Sequence, residues 1–321
     1  MRLIRLLVSI LAAATSLQAL PADPYPAKPI HILVGYTAGG AVDVVARTIG
    51  QHLSASLGQP VIVENKPGAG TNIAVRSLID SPPDGYTLML TANALAANMA
   101  LYHPAPFDAE RDVVPVSLVG RVPVVIAARA DSPYTSLQKL VQDAKAHPGT
   151  VNYASPGNGS TPHLAIEMFA HAAGIQLTHI PYKGGSQAIM DVLGGQVSLV
   201  AVNALEVVPH VQAGKLRVLA VMGAARTAML PGVPTIAESG YPGFEASVWY
   251  GLIAPARTPQ PVVEKLHDAV QKALASSEVQ KRISDVGGEV TPASAAQFGA
   301  LIHDERVRYE KLVREANIHL D

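Results

Sequence analysis

Three glycine-rich loops are the stretches of this sequence whose residue types best suit binding chemistry. They cover residues 35–40, 155–162 and 181–186, and each lies between a strand-like apolar run and a segment with helical spacing. A strand, a tight loop and a helix start bring unpaired backbone N–H groups and the positive end of a helix dipole to one point. Such a point holds an anion without any Lys or Arg. The loops therefore predict an anion site, and they leave open whether the anion is a nucleotide phosphate or a small carboxylate.

A dinucleotide is one candidate, because the second strand-like run ends at Glu64, an acid that could reach a ribose. The glycine spacing argues against it. Gly35, Gly39 and Gly40 do not form G-x-G-x-x-G, and in the second loop Pro162 stands where the third glycine would fall. We therefore expect no cofactor.

Catalytic and metal-binding patterns are weak in this chain. No G-x-S-x-G motif occurs, and Ser160 and Ser186 follow glycines at positions that suit helix N-caps. His163, Glu167 and His171 would share a helix face, but H-E-x-x-H is absent. We expect no metal, no catalytic residue and no enzyme activity. An exported α/β hydrolase with a serine–histidine pair remains the alternative.

Two further features are weaker candidates for ligand contacts. Lys183 in the third loop could neutralise an anion, although a single loop lysine is usually solvated. Trp249 and Tyr250 are more often core residues than pocket residues, although aromatic walls are common in small-molecule sites.

The first 22 residues have the order of a secretory signal peptide. Arg2 and Arg5 precede a short apolar run, and small residues follow before Asp23, with cleavage expected after Ala19 or Ala22. The run is short for a membrane span. We therefore expect an exported protein, located in the periplasm.

The charge balance and the absence of cysteine exclude several classes of function. The 321 residues include 24 Lys and Arg against 25 Asp and Glu, so there is no basic excess for a nucleic-acid partner. With no cysteine, the chain has no thiol chemistry, no Cys-ligated zinc, no disulfide and no lipid-modified cysteine anchor.

Strand-like and helix-like segments alternate over the first eighty residues after the signal peptide, which is typical of parallel α/β sheets. A helix is predicted over 42–57, ended by Gly58. Two β-rich runs, 113–119 and 122–128, have no helix between them and suggest a change of domain. Thr161 is expected to be the N-cap of the helix after the second loop, and two amphipathic helices are expected to finish the chain. In a parallel sheet the three loops open at the same edge, where ligands bind.

Six motifs occur in this order: Val-Gly-Tyr-Thr-Ala-Gly-Gly-Ala-Val-Asp at 34–43, Val-Glu-Asn-Lys-Pro-Gly-Ala-Gly-Thr-Asn at 63–72, Pro-Asp-Gly-Tyr-Thr-Leu at 83–88, His-Ile-Pro-Tyr-Lys-Gly-Gly at 179–185, Leu-Gly-Gly-Gln-Val at 193–197 and Gly-Leu-Ile-Ala-Pro at 251–255. Together they resemble the Bug family, the periplasmic solute receptors of tripartite tricarboxylate transporters. The resemblance covers essentially the whole chain after the signal peptide.

The resemblance implies an α/β, two-domain clamshell of the type II periplasmic kind, each domain a mixed, mostly parallel sheet flanked by helices. One domain would combine 23–123 with 223–321, and the other would be 124–222, with the ligand cleft between them. The implied function is capture of a small carboxylate, an organic acid, by a monomeric receptor that delivers it to integral membrane permease subunits. A sensor that passes the signal to a signalling partner is the second alternative.

The resemblance also implies which residues bind the carboxylate. The first and second loops supply Tyr36, Thr37, Gly39, Gly40, Ala41, Asp43, Ser155, Asn158, Gly159, Ser160, Thr161 and His163. Two further strand ends complete the predicted site with Thr91, Ala92, Asn93 and Asn203.

Four positions depart from the usual pattern of the family. Proline is common at Ala38 and a hydroxyl residue at Ala41, so one donor beside the carboxylate is missing, which costs about 1 to 3 kcal/mol if nothing replaces it. A small polar residue is usual at Pro156, and an acid or an aromatic residue is frequent at Asn203. Because Asn203 is neutral, we expect an organic acid that needs no amine.

Overall fold

The computed structural model describes residues 25–285 and 288–315. The predicted signal peptide, residues 1–22, lies outside the described residues. Among the helices of the described part, none combines the length and the hydropathy of a membrane span.

The described residues form ten strands and eleven α-helices. The strands are β1 Ile30–Val34, β2 Val61–Asn65, β3 Thr87–Thr91, β4 Val113–Arg129, β5 Asn152–Ser155, β6 Thr178–Pro181, β7 Leu199–Asn203, β8 Leu216–Val221, β9 Ser247–Pro255 and β10 Glu289–Ala293. The helices are α1 Ala41–Leu57, α2 Asn72–Ile79, α3 Ala94–Leu101, α4 Ala109–Asp112, α5 Leu137–Ala146, α6 Thr161–Ala173, α7 Gly185–Leu193, α8 Ala204–Gln212, α9 Gln260–Leu274, α10 Ser277–Asp285 and α11 Ala295–Glu315. A short 3₁₀ turn covers Ala69–Thr71.

The first strand–loop–helix unit forms as the sequence predicts. α1 buries Val45, Ile49 and Leu53 at helical spacing against the sheet. Gly58 ends the helix with φ of 71°, and its N–H donates to the Ser54 carbonyl at 3.0 Å. The other end of the helix begins at Gly40, directly after the loop that follows β1.

The strands are connected in the order β2-β1-β3-β9-β4-β7-β5-β6, and β8 and β10 also pair with β4. β1 is parallel to β2 and β3, and β5 is parallel to β6 and β7. The pairings of β4 and of β9 are antiparallel. Helices flank the sheet, which confirms the mixed α/β fold.

β4 is one continuous strand, whereas the sequence pattern predicts two separate runs. Its residues 113–123 pair with β9, and residues 124–129 pair with β7 and β8. Irregularities in register at Pro115–Ser117 and Leu118–Gly120 bend the strand without breaking it. β4 therefore divides the structure into two sheets, the first containing β1–β3, β9 and β10 and the second β5–β8. The domain bounds stay a prediction.

The chain passes between the two sheets a second time beside β4. The N–H of Met222 donates to the Val124 carbonyl at 2.8 Å, and the N–H of Ala246 donates to the Met222 carbonyl at 2.7 Å. The two segments that connect the sheets, β4 and the chain between β8 and β9, are therefore joined by a hydrogen bond.

Three details differ from the sequence-based expectations. The N-cap of α6 is Ser160 and not Thr161, because the Ser160 hydroxyl accepts the His163 N–H at 3.4 Å. α3, α4 and α8 were not predicted, and Pro209 lies inside α8. The region after β9 contains α10 and β10 in addition to the two expected helices.

Candidate functional site

Four helix N-termini meet at one cavity between the two sheets. The N-caps of α1, α6, α7 and α8 are Gly40, Ser160, Gly184 and Asn203, and all four line this cavity. Its volume is about 30 Å³. The positive ends of four helix dipoles therefore act on one small space, and this arrangement favours an anion.

Three of these helix ends have no side-chain cap among the described residues. They are the first turns of α1 at Gly40, of α7 at Gly184 and of α8 at Asn203. The carboxyl group of Glu206 lies against the start of α7, whereas the glycine N-cap of α1 offers no side-chain acceptor to the first-turn N–H groups. The first loop therefore offers backbone donors directly.

Three buried polar atoms of the cavity lining have no hydrogen-bond partner among the described residues. They are Oγ1 of Thr161, Oδ1 of Asn203 and Oη of Tyr250, and these side chains belong to residues that are 4%, 7% and 1% exposed. A buried polar atom without a partner is unfavourable by about 1 to 3 kcal/mol. Two hydroxyls and an amide oxygen are thus free to bond to a ligand here.

A carboxyl group also lines the cavity, next to the neutral Asn203. Glu206 lies in the first turn of α8, and Nδ2 of Asn203 donates to its Oε1 at 2.9 Å. Burial raises the pKa of Glu206 to about 7, against the lowering effect of the hydrogen bonds from Asn203. Burial, and then the charge of Glu206, raise the pKa of both Tyr36 and Tyr250. The sequence did not indicate this acid, and the expectation of a ligand that needs no amine stays a prediction.

The loops of the two sheets are in contact, so the cleft is closed. Thr37 of the first loop packs against Gly184 of the third. A Cβ at Gly70, where φ is +59°, would lie 2.9 Å from the Asn158 carbonyl of the second loop. Only glycine fits such a close approach in this conformation. The loops of the two sheets therefore meet beside the cavity.

Half of the predicted site residues line the cavity. They are Tyr36, Thr37, Gly40, Ala41, Ala92, Ser160, Thr161 and Asn203. The other half are outside this lining, and a direct ligand contact for each of them stays a prediction.

Asp43 and Gly39 form a hydrogen bond that stabilises the first loop. The Asp43 carboxylate accepts hydrogen bonds from the Gly39 N–H, from Arg47 Nε and from Asn65 Nδ2, each at 3.0 Å. Burial raises the pKa of Asp43, but these hydrogen bonds outweigh it and leave the pKa below its usual value. We infer that Asp43 positions the loop.

Asn93 connects three elements and faces the core. Its Nδ2 donates to Glu305 at 2.8 Å and to the Tyr309 hydroxyl at 3.1 Å, and its Oδ1 accepts the Trp249 N–H at 2.9 Å. Its neighbour Thr91 is 2% exposed and lies at the end of β3. Both residues support the position of Ala92 at the cavity.

Ser155, His163 and Gly159 form a buried network with His179 behind the second loop. The Ser155 hydroxyl bonds to Nε2 of His179 at 2.6 Å, and the Gly159 N–H donates to Nδ1 of His163 at 3.2 Å. This is a serine–histidine pair, but Ser155 is fully buried and outside the cavity lining. Burial lowers the pKa of His179 to about 4, which makes it a poor general base at neutral pH.

Asn158 lies in a second cavity beside the first. Its volume is about 270 Å³, and Lys183 and Thr71 also line it. Tyr36 and Ser160 face both cavities.

The metal site that His163, Glu167 and His171 could have formed does not assemble. Glu167 accepts the Tyr153 hydroxyl at 2.5 Å. In residues 25–285 and 288–315, no group of three or more His, Asp and Glu side chains is placed to hold an ion.

The remaining lining residues were not among the predicted ligand contacts. Pro156, Pro162, Gly184 and Gly185 belong to the predicted loops, and Tyr250 was a weaker candidate. Val42, Glu206 and Val248 were not identified as candidates from the sequence. The Asn203–Glu206 spacing is that of an N-cap and its N3 acid, a signal that could have placed Glu206 at the strand end. Trp249 and Tyr250 face opposite sides of β9 because successive side chains alternate along a strand. Trp249 packs on Phe298, while Tyr250 faces the cavity.

Two sheets that share one long strand, with helix N-termini around a cavity between them, define a solute receptor of the periplasmic binding protein type. Residues 45–318 match the model of the tripartite tricarboxylate transporter family receptor. The chain belongs to this family.

Individual relatives agree with this assignment. The chain is 37% identical to the protein BugT of Bordetella pertussis over 321 residues, 99% of this chain and 98% of BugT. The structure of the periplasmic binding protein BugD is 34% identical, with a TM-score of 0.87 over 92% of this chain and 99% of BugD.

Two similar structures carry organic acids. R. palustris Rpa4515 with adipate is 32% identical, with a TM-score of 0.88, and the match covers 92% of this chain and 99% of that protein. MatC from Rhodopseudomonas palustris with bound malate is 31% identical, with a TM-score of 0.85, and the match covers 90% of this chain and all of MatC.

Proposed function

We propose that this protein binds a small carboxylate in the cavity between its two sheets and delivers it to the membrane subunits of a tripartite transporter. The observation that carries the proposal is the convergence of four helix N-termini on one cavity. Adipate and malate in the similar structures support a carboxylate as the ligand class.

The ligand carboxylate lies between the first and second loops in this proposal. The uncapped N–H groups at the start of α1 and the hydroxyl of Thr161 at the start of α6 donate to its oxygens. The Tyr250 hydroxyl supplies a further donor from β9. Hydrogen bonds to a charged acceptor are stronger than neutral ones, so few donors suffice.

Binding is reversible and involves no chemical step. The open form admits the ligand, and contacts from loops of both sheets stabilise the closed form. The closed form is the state that docks on the permease. The receptor acts as a monomer in the periplasm, after removal of the signal peptide.

Titration calorimetry on protein that has been unfolded, dialysed and refolded tests the proposal. The titrants are acetate, malate, adipate and citrate, which sample mono-, di- and tricarboxylates. We expect at least one of them to bind. Native mass spectrometry of protein purified without unfolding is expected to show a retained small acid.

Two variants separate the site from non-specific effects. Thr161→Val removes the unpaired hydroxyl and keeps the shape, and we expect the affinity to fall about tenfold, the effect of one lost hydrogen bond to a charged group. Thr135→Val is the matched control, because Thr135 is exposed and remote from the cavity. Absence of binding by all four carboxylates, or equal effects of the two variants, contradicts the proposal.

The hydrolase alternative and the transporter partner need separate measurements. Turnover of a chromogenic ester that is abolished by Ser160→Ala would establish the hydrolase. Loss of uptake of the identified ligand after deletion of the gene for this receptor supports delivery to a permease. Unchanged uptake, together with a lost transcriptional response, supports the sensor.

A further inference from the structure

Glu206 is an acid in the wall of the proposed ligand site, and its environment is arranged to hold it there. Asn203 Nδ2 donates to Oε1 at 2.9 Å. The other oxygen, Oε2, packs against the backbone of Gly185 at the start of α7, where a Cβ would overlap it. The glycine at 185 therefore leaves room for this carboxylate. The N-termini of α7 and α8 adjoin it and oppose the effect of burial, which raises its pKa to about 7.

Within the described part of the chain, the surroundings of Glu206 contain hydroxyl groups and no paired cation. The charge of Glu206 acts on the hydroxyls of Tyr36, from the first loop, and of Tyr250, from β9. The influences on the Glu206 pKa are burial and hydrogen bonds from Asn203, and no Lys, Arg or His is among them. Lys183 of the third loop lines the neighbouring cavity instead.

A ligand that consists only of carboxylates would therefore bring an anion beside Glu206, which could accept it only by keeping its own proton. Like charges in a poorly solvated space repel strongly. A ligand with an ammonium group supplies the missing cation and pairs with Glu206. Its own carboxylate then occupies the donors of α1 and α6 on the other side of the cavity.

We propose that Glu206 determines specificity, and that the ligand is a zwitterionic carboxylate whose ammonium group pairs with Glu206 while its carboxylate binds at the first and second loops. This inference rests on the proposed function and narrows its ligand class. It also replaces the expectation, drawn from neutral Asn203, that no amine is needed.

Pairs of ligands that differ in one amine test the inference on the wild-type protein. The pairs are succinate and aspartate, glutarate and glutamate, and propionate and alanine, each titrated into the refolded receptor. We expect the amine-bearing member of at least one pair to bind about tenfold or more tightly than its partner, as a paired buried charge does.

The variant Glu206→Gln tests whether Glu206 causes the preference for the amine-bearing ligand. The amide retains the size and one hydrogen-bond acceptor but not the charge. We expect it to weaken binding of the amine-bearing member about tenfold or more, and to leave the amine-free member unchanged or improved. Glu264→Gln is the matched control, because Glu264 is exposed on α9.

The outcomes separate this inference from the function on which it rests. Wild-type preference for amine-free acids, or an unchanged preference in Glu206→Gln, overturns the inference and leaves carboxylate binding intact. If no carboxylate binds, with or without an amine, both are overturned. The wild-type ligand pairs decide the matter even if a variant fails to fold.

Discussion

His163 and His179 stack face to face behind the second loop, with ring centroids 4.0 Å apart and 19° between the ring planes. Burial lowers the pKa of His163 well below its usual value, and His179 lowers it further; burial also lowers the pKa of His179 to about 4. Both rings are therefore neutral at pH 7, and the second loop lies against this uncharged pair.

Because burial disfavours protonation of both rings, this pair makes the folded state less stable at low pH. A histidine whose folded pKa is lowered contributes its full stability above the unfolded value of 6.5, and that contribution is lost as pH falls toward 4. We expect the melting temperature of the wild type to fall over this range. His179→Gln is less stable at neutral pH, and the difference from the wild type narrows toward about pH 4.5, because the variant has no ring to protonate. His171→Gln, an exposed histidine, is the control. A difference that stays constant with pH contradicts the prediction.

Glu206 has the opposite dependence on pH. Its pKa is raised from 4.5 to about 7, so the folded state retains its proton more tightly than the unfolded state. The wild type therefore loses stability as pH rises from 4.5 to about 7, while Glu206→Gln does not. We expect the ligand-free variant to match the wild type near pH 4.5 and to melt about 2 to 4 °C higher at about pH 8. Parallel melting curves at all pH values would show that Glu206 titrates normally.

Gly185→Ala should weaken ligand binding without unfolding the protein. The added methyl overlaps the Glu206 carboxylate and displaces it from the cavity wall. We expect an affinity loss of about tenfold or more, and a smaller loss when the same change is made in a Glu206→Ala background, because the obstructing group is gone. Gly194→Ala is the control, since a Cβ there meets ordinary contact distances. Equal losses in both backgrounds would show that the two residues act independently.

Asn93→Ala should cost stability and leave ligand affinity almost unchanged. The variant removes bonds to Glu305, Tyr309 and the Trp249 N–H from a residue that is 1% exposed. We expect a loss of about 2 to 4 kcal/mol in urea unfolding. Affinity of the folded protein should change less than about threefold. A large affinity loss at unchanged stability would instead place Asn93 in the binding site.

Much of the fold was predictable because its signals are local. The apolar spacing of α1 and the left-handed Gly58 fix that helix from neighbouring residues alone. α8 was missed because Pro209 argues against a helix, and contacts with β8 and β4 outweigh that local preference. The continuity of β4 depends on pairing with distant strands, which no local pattern contains.

The candidate site was predictable at the level of loops and less so at the level of side chains. Strand ends and glycine loops identify Thr37 of the first sheet and Ser160 and Asn203 of the second, and all three line the cavity. Whether a strand-end side chain faces the cavity or the core depends on its packing partners. Asn93 turns inward because Glu305 and Trp249, both remote in sequence, bond to it.

The placement of β9 between β3 and β4 also sets the order in which the chain can fold. Val113 pairs with Pro255 and Pro123 with Ser247, so this ladder joins residues far apart in sequence. Contacts of long sequence separation carry a large loop-closure entropy and slow the folding rate. The sheet that contains β1–β3 therefore stays incomplete on the ribosome until the C-terminal third is synthesised.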